Sequence, residues 1–274
     1  MKNLLAIMLL LFFAVAGPHA EAAGINDYDY YKPAWMGKER IIVVGYRGVP
    51  KKTVRALRKA YIKSYQALGT RPIADIYALF WDTQKSNLQK VGRKWCKVAG
   101  KEDNRCREAM SGDYRGFKDP DEAAGGFEDT MLGLNHGTEG WWKEMAVDDG
   151  HLKTAAHEYF HVYQQAHIHT RDESEREKLA KKNPWWLEGG AEYMAQLLYS
   201  KQPGVRPGYL KEVMERKTYG ISDYLSYGKS LRELSYDDPV DTYGVASWFV
   251  AYLVHQSSEE VFRVNFYGDL EALG

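Results

Sequence analysis

The chain has 274 residues, with 37 Lys plus Arg against 37 Asp plus Glu and 45% hydrophobic residues. That neutral balance gives none of the electrostatic footprint of a nucleic-acid binder, and the length suits one domain, or two closely packed subdomains, with a sizeable core. Aromatic residues are plentiful, with 20 Tyr and 8 Trp, which fits large aromatic surfaces without naming a ligand.

Residues 1–22 read as a signal peptide. Lys2 supplies the positive start, Leu4 to Ala16 an apolar run too short to span comfortably, and Ala20-Glu21-Ala22 a cleavage site of the A-x-A kind. Export to a secreted or periplasmic location is therefore expected, with no stable membrane insertion after cleavage. No cysteine lies near the cleavage site to carry a lipid. Cleavage removes Lys2 and Glu21, so the mature chain stays neutral. The two cysteines, Cys96 and Cys106, are an even pair closing a short segment, which in an oxidising compartment predicts a structural disulfide. The charged run Lys101 to Arg105 between them reads as a solvated loop.

In chain order, Ile41 to Val44 is a β-branched run that predicts a strand. Thr53 to Leu68 places Val54, Leu57, Tyr61 and Tyr65 at helical spacing. Ile73 to Trp81 returns to a strand pattern, and Gln84 to Val98 reads as a basic helix. A glycine- and aspartate-rich stretch, Gly112 to Gly126, connects to two further predicted strands, Phe127 to Leu134 and Trp141 to Val147. From there the pattern turns helical. The expected class is α+β, an N-terminal mixed β-sheet with helices followed by a mostly helical half. The expected division is a signal peptide (1–22) and one domain (23–274), made of an α/β part (23–150) and a helical part (151–274).

The first helix of the second half carries His157-Glu158-Tyr159-Phe160-His161. Residues four apart stand one turn above each other, so His157 and His161 can offer two imidazole nitrogens to one Zn²⁺. Glu158, one step round, is placed to take a proton from a water and pass it to a leaving group. A match of this kind also describes a surface helix with two histidines, so a third ligand is needed. The best candidate is Glu188 in Asn183-Pro184-Trp185-Trp186-Leu187-Glu188-Gly189-Gly190-Ala191-Glu192-Tyr193. Asn183 reads as an N-cap and Pro184 as the first helical residue. Leu187, Ala191, Met194, Ala195 and Leu198 form an apolar stripe. Gly189 and Gly190 each cost roughly 1 kcal/mol in a helix interior, which close approach of another helix would explain. The charged segment Arg171 to Lys182 reads as a solvated insertion.

Together the two motifs resemble those of the gluzincin metallopeptidases, the clan of thermolysin and the zinc aminopeptidases. Glu188 follows His161 after 26 intervening residues, and Trp186-Leu187-Glu188-Gly189-x-Ala191-Glu192 is similar to the clan's second motif. The resemblance implies one Zn²⁺ per chain held by His157, His161 and Glu188, with Glu158 as general base and Glu192 hydrogen-bonded to a ligand histidine. A third stretch, Asp241 to Val254, is apolar around most of its circumference and predicts a buried helix. It resembles the aminopeptidase segment that opens on a tyrosine, which would make Tyr243 the donor to the oxyanion; read from the residues alone, Tyr243 is equally a core tyrosine. Ala246 stands where that family has glycine. Ser257-Ser258-Glu259-Glu260 reads as a capping box for a last helix through Phe266. Gly274 follows soon after with no closing element, which leaves room for further C-terminal sequence.

The aminopeptidase glutamate that holds a free amino terminus has no clear match. The nearest stretch is Gly137-Thr138-Glu139-Gly140-Trp141-Trp142, and Glu139 or Glu144 is better read as an exposed strand carboxylate. His136, His151, His167, His169 and His255 have no partner at ligand spacing. The expected function is an exported zinc metallopeptidase acting on a peptide or protein substrate. The alternatives are a catalytically inactive binding or scaffold protein on the same fold, or a zinc hydrolase of a non-peptide amide or ester.

Overall fold

The computed structural model describes residues 41–46, 49–68, 76–81, 85–99, 104–114, 123–127, 131–135, 150–166 and 184–267. The signal-peptide reading, the strand read over Trp141 to Val147, the insertion Arg171 to Lys182, the cap at Asn183, and Glu139, Glu144, His136, His167 and His169 lie outside the described residues.

The β-branched run forms β1 (Ile41–Gly45), which lies parallel to β2 (Ile76–Trp81). Parallel neighbours need a crossover rather than a tight turn, and helix α1 (Lys51–Leu68) provides it. Helices α2 (Lys85–Ala99) and α3 (Asn104–Ser111) follow β2. The chain then makes β3 (Ala123–Phe127) and β4 (Met131–Asn135). β4 joins β2 in parallel and β3 closes the edge antiparallel to β4, giving a mixed four-stranded sheet in the order β1-β2-β4-β3.

Two expectations change here. Phe127 to Leu134 is not one strand: Phe127 ends β3 and Met131 begins β4, with the polar Glu128-Asp129-Thr130 between them in sequence. The glycine-rich Ala123 to Gly126 is strand rather than connection. Its register is irregular between Ala124 and Phe127, where two glycines oppose one residue of β4, the pattern of a bulge.

β2 is covered on both faces, as alternation along a strand requires. Ala78 and Phe80 join the main core, while Leu79 and Trp81 join a second core with Leu88, Val91, Trp95, Cys96, Cys106 and Ala109. In that second core Cys96 and Cys106 form the expected disulfide, their Cα atoms 5.5 Å apart. Asn104 and Arg105, read as part of a solvated loop, are exposed residues of α3 instead. The two helices meet closely: a Cβ on Gly92 would come within 1.9 Å of the Ala109 carbonyl oxygen.

The second half is helical. α4 (Gly150–Ala166) and α5 (Pro184–Ser200) are followed by α6 (Tyr209–Tyr227), α7 (Thr242–Gln256) and a π-helical turn, Val261–Phe266. α5 packs against both α4 and α7, and α1 lies against α4. Pro184 is the first residue of α5, and Ala191, Met194, Ala195 and Leu198 of the predicted stripe are buried. Asp241 caps α7, its Oδ1 accepting from the Gly244 N–H at 2.8 Å. The predicted box at Ser257 and Glu260 does not form. Ser258 accepts from the Val261 N–H at 3.0 Å, and the Ser257 hydroxyl turns back to the Leu253 carbonyl at 2.8 Å. This is an α+β arrangement, with the mixed sheet preceding the helices. Among the described residues, no helix is long and apolar enough to cross a membrane.

Because the disulfide sits on the face of the sheet opposite the main core, its loss is a stability effect. Replacing Cys96 and Cys106 by serine should lower stability by about 2–3 kcal/mol. Thermal denaturation checks this, and peptide mapping without reductant should recover the linked pair.

Candidate metal centre

α4 has one face in the core, where Ala155, Ala156, Tyr159, Phe160 and Tyr163 are buried. On the adjoining stripe His157 and His161 stand one turn apart, their ring centroids 4.9 Å from each other. α5 crosses α4 and presents Glu188 and Glu192, also one turn apart. The crossing is close for the reason the sequence suggested. A Cβ on Gly189 would lie 2.6 Å from the backbone of Ala246 on α7. One on Gly190 would lie 2.3 Å from the Tyr267 hydroxyl and 2.9 Å from Gln164 Nε2.

One ligand atom from each of His157, His161 and Glu188 comes within 4.8 Å of the others. His157 Nε2 lies 3.3 Å, and His161 Nε2 3.5 Å, from the same carboxylate oxygen, Glu188 Oε2. Both rings thus turn Nε2 inward, and both outward nitrogens are engaged. His157 Nδ1 lies 3.4 Å from Glu192 Oε2, and His161 Nδ1 lies 2.8 Å from Gln164 Oε1. Two imidazoles and one carboxylate, each imidazole held from behind, suit a three-ligand zinc site with a fourth position left open. The buried carboxylate of Glu158 fits the same reading. It is 5% exposed, and its Oε2 has no hydrogen-bond partner among the described residues, a costly state unless something polar meets it.

The electrostatics are those of a place built for positive charge. Burial lowers the affinity of the His157 ring for a proton, but the hydrogen bonds to Glu188 and Glu192 outweigh it and raise the pKa to about 10. Burial likewise opposes ionisation of Glu188, and the two histidines overcome it and hold that carboxyl far below the usual range. Glu192 goes to about 2, its burial outweighed by His157 and by the Lys217 ammonium. Glu158 moves up, chiefly by burial. Metal ligands must be deprotonated, so a cation held here would compete with a proton for His157.

Two tyrosines border the cluster. Tyr243 is 43% exposed at the start of α7, so it is not the core residue that its surroundings in sequence allowed. Burial of part of the ring, then Glu188, Glu158 and Glu192, raise its pKa to about 12, which keeps the hydroxyl protonated as a donor. Tyr236, 6.2 Å away between ring centroids, donates to Glu188 Oε1 at 2.9 Å.

No family model, curated protein or solved structure matches the chain. The centre therefore stands on its own geometry, which brings together His157, Glu158, His161, Glu188 and Glu192 with Tyr243 at the rim. His255 is exposed near the end of α7, apart from this cluster.

Residues beyond the sequence reading also belong to the centre. Lys217 of α6 lies 3.0 Å from Glu192 Oε1, to which Gln196 also donates at 3.2 Å. Gln196 in turn accepts from the Tyr209 hydroxyl at 2.6 Å. Gln164, three residues after His161, was available as a helical i,i+3 neighbour; Lys217 arrives only through tertiary packing.

Removing Glu188 takes away the charged ligand and the oxygen that both rings face. Glu188→Ala should weaken zinc binding by more than the roughly 10–100-fold typical of losing an outer partner. Competition with a chromogenic chelator measures it, and unchanged affinity would take Glu188 out of the site.

Proposed function

We propose that the protein is an exported zinc-dependent metallopeptidase, with a gluzincin-like helical half, that hydrolyses peptide bonds. The observation that carries this reading is the convergence of His157, His161 and Glu188 beside a buried carboxylate, Glu158, that has an unpartnered oxygen. The export part rests on the sequence of residues 1–22 and on the Cys96–Cys106 disulfide.

Zn²⁺ held by His157, His161 and Glu188 would supply Lewis acidity, polarising the scissile carbonyl and acidifying a water. The rest is the work of this chain. Glu158 takes the proton from the attacking water and delivers it to the departing amine nitrogen, which a carboxylate shielded from solvent does well because its basicity is raised. The Tyr243 hydroxyl donates to the oxygen that gains charge as the carbonyl becomes tetrahedral. Glu192 holds the His157 ring from behind and Lys217 holds Glu192, so the chain of contacts runs from α6 to the ligand. Tyr236 is committed to Glu188, while the half-exposed Tyr243 has no hydrogen-bond partner among the described residues.

Glu158→Gln should retain full zinc and lose nearly all hydrolysis of a mixed peptide library, because an amide cannot accept the water's proton. Zinc-loaded protein with wild-type turnover would reject the mechanism. Peptides left intact while amide or ester model substrates are cleaved would move the reading to a non-peptide hydrolase. Zinc binding with no turnover of either would leave a binding protein on this site.

Tyr243→Phe separates the donor role from packing. Loss of a transition-state donor should lower kcat by roughly 10²–10³ with little change in KM or zinc content. A phenylalanine that merely packs would leave kcat intact, and that result would pass the oxyanion role to Tyr236.

A further inference from the structure

Gln164 is wholly buried at 0% exposure, three residues beyond His161 on α4. Its amide nitrogen lies 2.9 Å from the Trp186 carbonyl oxygen, 2.7 Å from the Leu187 carbonyl oxygen and 3.0 Å from the Tyr267 hydroxyl. The Tyr267 hydroxyl spends its own proton on the Trp186 carbonyl at 3.0 Å, so it meets the amide with lone pairs. Among the described residues the partners on that side, the Trp186 and Leu187 carbonyls and the Tyr267 hydroxyl, meet the amide as acceptors, so the NH₂ end faces them. A flipped amide would set its oxygen against two carbonyls in a buried site.

The other end follows by necessity. Oε1 must face His161 Nδ1, 2.8 Å away, and a carbonyl oxygen can only accept. His161 Nδ1 must therefore carry a hydrogen, and in the neutral ring this makes Nε2, the nitrogen on the Glu188 Oε2 side, the one with the free lone pair. The same amide grips the peptides of Trp186 and Leu187, the two residues before Glu188. Gly190 is what allows this: a side chain there would collide with both Gln164 Nε2 and the Tyr267 hydroxyl.

We infer that Gln164 is the positioning residue of the metal centre: one buried amide, backed by Tyr267, fixes the tautomer of His161 and locks the first turn of α5 so that His161 and Glu188 present their ligand atoms together. The inference rests on the zinc-site reading above, and it differs from the role of Glu192, which holds a single histidine. Both outer partners are acceptors; what sets Gln164 apart is that the same amide also holds the Trp186 and Leu187 carbonyls just before Glu188.

The test begins with metal-free wild-type protein at mildly alkaline pH, where imidazole ¹⁵N shifts report the tautomer. His161 should be protonated at Nδ1; protonation at Nε2 overturns the inference whatever the variants do. The second arm is Gln164→Met, which preserves length and apolar fit but neither accepts nor donates strongly. Its zinc dissociation constant should rise about 10–100-fold, and the His161 shifts should become those of a mixture while the His157 shifts stay put. A folded variant with wild-type zinc affinity and an unchanged His161 tautomer would overturn the inference and leave the zinc reading intact. If Gln164→Met does not fold, the wild-type tautomer decides alone. If the wild type binds no zinc, the functional reading fails, and the metal-free tautomer still passes or rejects the part assigned to Gln164.

Discussion

Glu188 reaches His157 and His161 because the two residues after it have no side chains. Helices with ordinary residues at the contact stand about 8–10 Å apart. At Gly189 a Cβ would press into the Ala246 backbone, and at Gly190 into Gln164 and Tyr267. α5 is thereby set close to α4 on one side and α7 on the other. Each glycine costs roughly 1 kcal/mol of helix propensity, which this packing offsets with a buried, aromatic-rich core: Phe160, Tyr163 and Tyr267 meet within 6 Å between ring centroids. The small residue at Ala246 belongs to the same contact. It lies three positions after Tyr243, so the contact that seats Glu188 also determines where Tyr243 emerges.

The charges explain why the helices are held so firmly. Glu158, Glu188 and Glu192 sit with two histidines in a largely buried cluster, and a buried charge without partners is strongly unfavourable. The fold answers with partners from three directions. Lys217 comes from α6 to Glu192, Gln164 from α4 to His161, and Tyr236 from the connection after α6 to Glu188. Glu158 retains an oxygen without one among the described residues. A carboxylate left in that state beside two inward-turned imidazole nitrogens is out of place in a purely structural ion-pair network.

What the sequence disclosed and what it hid divide along one physical line. His157, Glu158 and His161 were legible because an i,i+4 spacing on one helix is itself a geometry, and Glu188 because a proline start and an apolar stripe announced its helix. The two glycines were legible as a cost needing a reason. The β3–β4 hairpin was not, because glycine-rich sequence carries little strand signal and pairing with β4 supplied the order. The cap at Ser258 in place of Ser257 is a slip of one residue, within the range that local pattern cannot resolve. Lys217 and Tyr267 were beyond reach for a stronger reason. Each meets the site across a long separation in sequence, and only the packing of α5 between α4 and α7 brings them there.

The segment between α6 and α7 bears on which tyrosine is free to meet a substrate. Asp238 ties it together: its carboxylate accepts from Lys229 Nζ at 2.6 Å, from the Tyr227 hydroxyl at 3.0 Å and from the Ser235 N–H at 2.8 Å. The Thr242 hydroxyl adds a bond to the Ser235 carbonyl at 3.0 Å, fastening the segment to the start of α7. Ser230 and Glu233 close a capping box at its other end. Tyr236 leaves this braced segment already engaged with Glu188, so moving it to a substrate would cost a hydrogen bond to a metal-ligand candidate. Tyr243 makes no such commitment. It stands on the first turn of a capped helix, half exposed, and partial burial, then the field of all three carboxylates, raise the cost of ionising it. A hydroxyl that stays protonated, is held by a helix and opens toward solvent is suited to donate when an oxygen beside it gains charge, the moment at which the proposed hydrolysis would need it.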